Sequence, residues 1–365
     1  MRWSANGCWL MLGCVILATS ACSSLGYYAH VARGQAGLLL HRKAVADVIA
    51  DPHTDAKLRT RLEETQAARA FASDHLDLPR NRSYTSYVEL HRPYVTWNVF
   101  AAPEFAVEPV THCFPFAGCV AYQGYFERVR AEREAARLSA LGNDTQIEGA
   151  VAYSTLGWFA DPILSSMLRW SDDELDSTIF HELAHQKLYV KDDTAFNESY
   201  ASFVAEQGLR EWRASRGSAP PADDERARDD AFTALVLDLR ERLRQVYARA
   251  SSNEVKRDAK AEEIAAFRAR YAQLRDGAWH GDRRYDSWVG APINNASLLP
   301  FGLYDRWIAA FARVFAQAHG AWPLFFAKVG ELSRKPKALR DEELSRLTPL
   351  PGALDMQAER TRGDP

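Results

Sequence analysis

Apolar positions recur at three-and-four spacing over residues 27–50 (Leu38, Leu39, Val45, Val48, Ile49) and again over 53–75 (Leu58, Leu62, Ala67, Phe71). That is the period of a helix with one buried face, so the two segments predict a helical hairpin. Between Ser83 and Tyr125 the pattern changes. Tyr, Val, Thr, Trp and Phe cluster between Pro93, Pro103, Pro109 and Pro115, which predicts several short strands and a small twisted sheet. Helical spacing returns over 124–141 and stops at Gly142, after which Gln146 to Trp158 alternates as a strand would. From Asp161 onward almost everything reads as helix. The charged stretch from Asp224 to Asp276 has helical spacing on an Ala/Arg/Glu-rich surface, which predicts an antiparallel helical pair whose charge runs are a solvated face. Pro220-Pro221 marks a linker, Pro292 to Pro300 a loop, and Pro349 to Pro365 a disordered tail. There is no internal repeat. The fold class these elements predict is α+β, mainly helical, with a small sheet and additional C-terminal helices.

One apolar stretch belongs to none of these elements. Cys8 to Ala18 is uncharged, Arg2 is the one charged residue before Cys22, and the run is shorter than the about 18 apolar residues that span a bilayer. A secretory signal fits it. It leads into Thr19-Ser20-Ala21-Cys22-Ser23-Ser24, which resembles a bacterial lipoprotein cleavage site, with Thr19 where such sites usually carry Leu. Cleavage before Cys22 would leave that cysteine lipidated at the head of the mature chain; ordinary cleavage near Ala21, or an uncleaved anchor, are the alternatives. No other stretch is long enough to be a transmembrane helix. The expected location is therefore the bacterial cell envelope, with membrane affinity supplied by the N-terminal lipid. Ser23, rather than Asp, after the cysteine resembles the pattern of lipoproteins sent to an outer membrane, and the expected place is its periplasmic side, although the pattern itself does not set the face.

Export changes the cysteine arithmetic. Cys8 and Cys14 leave with the signal and Cys22 takes the lipid, so Cys113 and Cys119 remain as an expected disulfide around the turn Phe114 to Gly118. Composition sets the outer bounds: 365 residues, 47% hydrophobic and 25% charged, are enough for a sizeable core. A formal net charge of −3 without a basic block gives no electrostatic reason to bind nucleic acid.

The informative segment runs from Ser171 to Trp212. Ser171 followed by Glu174 fits a capping box, so a helix should start there. On it lies His181-Glu182-Leu183-Ala184-His185, the HExxH pattern. Histidines four apart project from one helix face, as two ligands of one tetrahedral ion must. Glu182 stands beside that face, where a carboxylate can take a proton from a water instead of binding the metal. Polar residues Lys191 to Thr194 break the pattern, and a second helix with Phe196, Tyr200, Phe203 and Val204 on one face comes next. His185 lies about five residues before the turn and Glu198 about four after it, so at ~1.5 Å per residue the two are nearly level across the hairpin. One Zn2+ per chain, on His181, His185 and Glu198 with an open fourth position, is the expected cofactor. Glu206 is a further acid on the same helix, two turns on, and should overshoot.

Here the residues reach a family. HELAH followed by NESYA resembles the glutamate-ligand branch of the zincin metallopeptidases, and the wider set is similar to a family of bacterial lipoproteins described as putative aminopeptidases. The matching pieces are Cys22 to Tyr28, the Cys113 to Cys119 loop with Gly124 to Phe126, Ser154 to Trp158, Asp161-Pro162, Phe180 to Gln186, and Asn294 to Ala296. The resemblance implies a zincin-like core, His181, His185 and Glu198 as ligands, Glu182 as catalytic base, and a peptide substrate. Two departures stand out. The gap between His185 and Glu198 is shorter than in the aminopeptidase and thermolysin-like branches. The G-x-M-E-N segment that grips a free amine in that aminopeptidase branch is absent, and Gly149 to Tyr153 stands in its place.

The parts predict hydrolysis by a zinc-activated water with Glu182 as general base. Tyr285 and Tyr304 are candidate oxyanion stabilisers. The strand Gly149 to Trp158, in particular Tyr153, Ser154, Thr155, Leu156 and Gly157, could accept a substrate backbone as an added strand. A free amine would need an acid, and Glu148, Asp161 and Glu206 are available. The organisation expected is a leader over 1–21, a tether and helical hairpin over 22–82, a catalytic core over 83–216, a helical region completing the cleft over 217–348, and a tail over 349–365. The alternatives to an aminopeptidase are a zinc endopeptidase and a non-catalytic envelope lipoprotein with a structural zinc; the latter leaves Glu182 without a purpose.

Overall fold

The structure is a computed structural model, described over residues 25–114, 118–155, 157–220, 223–249, 252–301 and 307–348, and it is mainly helical with small sheets. Cys22, Leu156 and Tyr304 lie outside the described residues, as do the segments expected as leader (1–21) and tail (349–365). A helix over 25–41 (α1) gives way to two residues of strand, Lys43–Ala44 (β1), before Val45–Ala50 (α2) and Ala56–Asp74 (α3). The helix expected over 27–50 is thus broken. Lys43 and Ala44 pair antiparallel with Tyr87 and Ser86 of β2 (Ser86–Val88), and local periodicity carries no sign of a partner so far along the chain.

The main sheet is antiparallel, with β3 (Thr96–Pro103) between β6 (Tyr122–Tyr125) and β7 (Asn143–Ala150). Alternation sorts its two faces. Val99, Ala101 and Tyr125 pack on Ala131, Ala135 and Leu138 of α4 (Arg128–Ala140). Phe100, Ala102 and Tyr122 turn the other way, against Ala296 and Leu299, and Asn98 stands on that second face between Gly124 and Glu148. Between β3 and β6, β4 (His112–Phe114) and β5 (Gly118–Val120) form a hairpin joined by a Cys113–Cys119 disulfide. The sheet is stitched to α1. Tyr27 donates its hydroxyl to the Gly124 carbonyl at 3.2 Å, the Phe126 N–H donates to His30 Nε2 at 3.0 Å, and a Cβ on Gly34 would meet the Phe126 ring at 2.2 Å.

The strand expected to run from Gln146 to Trp158 ends at Ala150. Past it, one carboxylate organises a loop: Asp161 accepts from the Thr155 N–H at 3.1 Å, the Thr155 hydroxyl at 2.7 Å and the Ser154 hydroxyl at 3.3 Å. The Trp158 N–H meanwhile bonds the Thr155 carbonyl at 3.1 Å, and Gly157 takes a positive φ of 83°. The Thr155 backbone is therefore engaged within the loop, and the described residues from Val151 to Phe159 are not in strand.

Helices α5 (Asp172–Lys187) and α6 (Thr194–Ser215) sit at the centre of the main core, where Ile179, Phe180, Leu183, Phe196, Tyr200 and Val204 are fully buried. The short strand β8 (Ile163–Leu164), parallel to β2, joins that core, as do α10 (Ile308–Gln317), α11 (Trp322–Ser333) and α12 (Lys337–Leu347). Helices α7 (Asp223–Arg249) and α8 (Asn253–Asp276) form the expected pair, and with α9 (Asp286–Gly290) they hold a second core around Phe232, Leu239, Phe267 and Tyr271. Lys260 pairs with Asp144, and Asn295 donates to the carbonyls of Pro103 and Glu104, tying that unit to the sheet. No helix among the described residues is long and apolar enough to cross a membrane.

Asp176 of α5 is 4% exposed and accepts the indole N–H of Trp212 at 2.8 Å. Burial pushes its carboxyl up to about 7, against the pull of that hydrogen bond. A folded value above the unfolded one (~3.9) means the folded chain holds the proton more tightly, so stability present at acid pH is lost as pH rises from about 4 to about 7. At about 1.4 kcal/mol per unit the loss reaches ~4 kcal/mol at most. Asp176→Asn keeps an acceptor for the indole and should flatten this slope, raising Tm at pH 8. Tm measured against pH for both chains checks it, and parallel curves would sink it.

Candidate metal centre

Local chemistry sets the start of α5. The Ser171 hydroxyl accepts the Glu174 N–H at 3.2 Å while the Ser171 N–H donates to Glu174 Oε2 at 2.8 Å, the reciprocal box its spacing predicts. Asp172, Asp173 and Glu174 fill the first turn, where the helix dipole favours negative charge. The helix ends at Lys187, and the turn to α6 is closed from inside by Asn197. Its side chain accepts the Val190 N–H at 2.8 Å and donates to the Val190 carbonyl at 2.7 Å. Asp192, in the left-handed region at φ 60°, faces the disulfide hairpin. Gly118 takes a positive φ of 77°, which favours glycine, and a Cβ there would fall 2.2 Å from Asp192 Oδ1, so the hairpin lies close against this turn.

This hairpin of helices brings His181, His185 and Glu198 together. His181 Nε2 lies 3.0 Å from His185 Nε2 and 3.2 Å from Glu198 Oε2, and His185 Nε2 lies 3.5 Å from the same oxygen. Among the described residues it is the one cluster of three His, Cys, Asp or Glu side chains able to hold a metal ion. The spacing tests the fit: a tetrahedral ion with bonds of about 2.0–2.1 Å sets its ligand atoms about 3.3 Å apart. Two neutral imidazoles facing each other at 3.0 Å through Nε2 also need a shared cation or a proton between them. A site of two nitrogens and one carboxylate is a zinc-type donor set.

Burial and charge divide the three residues. His185 is buried, and its Nδ1 has no hydrogen-bond partner, so packing and the Nε2 contacts orient its ring. His181 and Glu198 keep 18% and 20% of their side-chain surface in solvent, which leaves one side of the cluster open. Burial alone would push the Glu198 carboxyl up; the hydrogen bonds from His181 and His185 overcome it and hold it at about 2. Burial likewise opposes charge on His185, and Glu198 outweighs it, raising the imidazole above its ordinary value.

Glu182 sits beside the cluster on α5, and its charge reaches several neighbours. It raises Asp161 and the Tyr84 phenol, both already raised chiefly by burial. Tyr122 of β6, which the sequence pattern does not single out, also feels the charge of both glutamates. Burial first, then the charges of Glu198 and Glu182, push its phenol up to about 12, so it keeps its proton at neutral pH. Period-two alternation puts Tyr122 on the sheet face opposite α4, but only the folded chain brings it within range of the charges of the two glutamates.

The other expected residues are placed elsewhere. Tyr285 stacks on Phe232 with ring centroids 3.7 Å apart and donates its hydroxyl to Asp229, so it belongs to the α7–α8 core, not to the cluster. Glu206 pairs with Arg226, and Asp161 is engaged by its own loop. Glu148 is raised by burial and stands on the sheet face shared by Tyr122. Tyr153 packs its ring 5.4 Å from Phe126, and Gly157 lies against Gln186, the residue after His185.

A family model described as putative aminopeptidase matches residues 26–344, a span that contains all of these residues. No curated protein and no solved structure matches the chain.

Proposed function

The chain belongs to the putative aminopeptidase family, and from that premise we propose that it is a zinc peptidase that removes residues from free amino termini. The observation that carries the metal is the triangle of two Nε2 atoms and one carboxylate oxygen at 3.0, 3.2 and 3.5 Å. His181, His185 and Glu198 would hold the ion. Zinc in this position would polarise the scissile carbonyl and lower the pKa of a water.

The protein's own groups carry the remaining steps. The Glu182 carboxylate takes a proton from the attacking water and passes it to the nitrogen of the departing amine. The Tyr122 hydroxyl, protonated at neutral pH, donates a hydrogen bond to the oxyanion as it forms. The solvent-facing side of His181 and Glu198 is where water and peptide enter. Among the acids a free amine could meet, Asp161 and Glu206 are engaged, and Glu148 is the one we assign to it. Lipid attachment at Cys22 would hold the enzyme at a membrane of the bacterial envelope.

The test is metal content together with hydrolysis of one peptide set in free and N-blocked forms. One zinc per chain, and release of amino-terminal residues from unblocked peptides alone, is the expected result. Cleavage of blocked peptides would make the enzyme an endopeptidase, and a folded chain without zinc would overturn the reading. Tyr122→Phe should lower kcat about a hundredfold at unchanged zinc content. An unchanged kcat would remove Tyr122 from the mechanism.

A further inference from the structure

Helix α6 carries Glu198, and its first turn is held from outside by the last helix of the described chain. Asp193, the residue that caps α6, is 3% exposed. Its Oδ1 accepts the Phe196 N–H at 3.4 Å and Lys337 Nζ at 3.1 Å; its Oδ2 accepts Arg340 Nε at 3.0 Å and a second donor, Nη2, of the same guanidinium. Arg340 is itself 4% exposed, donates to the carbonyls of Lys335 at 2.8 Å and Ser333 at 3.3 Å, and lies 5.1 Å over the Phe196 ring. The cap of α6 is therefore gripped by a forked, charge-assisted contact whose other end is fixed to the α11–α12 junction.

The start of α6 thus has two anchors. Asn197 ties it inward to Val190, setting how far it stands from the end of α5. Arg340 ties it outward, setting how it tilts. Glu198 comes five residues after the cap, within the stretch both anchors control. A metal site tolerates ligand displacements of only about 0.2 Å, so a small tilt moves Glu198 Oε2 out of reach of an ion shared with His181 and His185.

We propose that Arg340 is a positioning residue for the metal centre: through Asp193 it fixes where Glu198 stands against His181 and His185. The inference rests on the zinc reading and adds to it a determinant 142 positions beyond Glu198 in the sequence. A purely structural ion pair would affect stability and leave the affinity of the folded site alone.

The experiment compares zinc Kd, by chelator competition, and zinc-free Tm for the full chain, Arg340→Met, Arg340→Lys and the double variant Asp193→Asn/Arg340→Met. The double variant leaves no unpaired buried charge and keeps a capping side chain, so it guards against simple misfolding. Expected are zinc affinities about 10- to 100-fold weaker in the folded methionine variants, with partial recovery in Arg340→Lys. A folded double variant that binds zinc as tightly as the native chain, whatever its Tm, overturns the proposal. A native chain that binds no zinc overturns the metal reading itself, and this one with it.

Discussion

Glu182→Gln is expected to slow peptide hydrolysis by about 10²- to 10⁴-fold while zinc content and Tm stay at their native values. The substitution keeps shape and removes only basicity. Glu182 lies outside the triangle formed by His181, His185 and Glu198, so no metal bond is lost with it. A carboxamide cannot take the proton of the attacking water or return one to the leaving nitrogen, which is why the effect falls on kcat. The variant also relieves the negative charge that helps raise Asp161, Tyr84 and Tyr122. Steady-state rates on an unblocked peptide, with metal analysis of the same preparation, decide it. A native rate would assign the base elsewhere, and a loss of zinc would make Glu182 a ligand.

Glu198→Ala should abolish stoichiometric zinc and all hydrolysis with it. Losing a group merely hydrogen-bonded to a ligand already weakens a metal site about 10- to 100-fold, and here a ligand goes. The variant keeps two Nε2 atoms 3.0 Å apart with no negative charge between them, a poor seat for a dication. It also loses the partner that raises His185. Metal analysis after dialysis is the measurement. Retention of one zinc per chain by this variant would show that another carboxylate supplies the third bond.

Much of this centre was legible in the sequence because its determinants are local. The capping box at Ser171, the four-residue spacing of His181 and His185, and the short turn to Glu198 are all encoded within one helical hairpin. The parts that were not legible depend on contacts between distant segments. The break after α1 exists because β1 finds β2, and β7 stops at Ala150 because the Asp161 side chain organises the next loop. Tyr122 has no local mark of function: its strand alternates like any other, and its closeness to Glu182 and Glu198 arises from how the sheet packs. Tyr285 is the converse. Its phenol looked available in the sequence, yet the aromatic core between α7 and α8 takes up its ring and Asp229 its hydroxyl.

The stitching of α1 to the sheet bears on reach. Helix α1 is described from Leu25, three residues after Cys22, and Tyr27, His30 and Gly34 fasten it to residues 124–126, directly beyond the strand position of Tyr122. With the lipid we propose at Cys22, there is no long leash between the membrane and the body of the enzyme. The mouth of the centre would ride at one height and one orientation above the bilayer. It would meet peptides that pass close to the surface, in preference to those free in the space beyond.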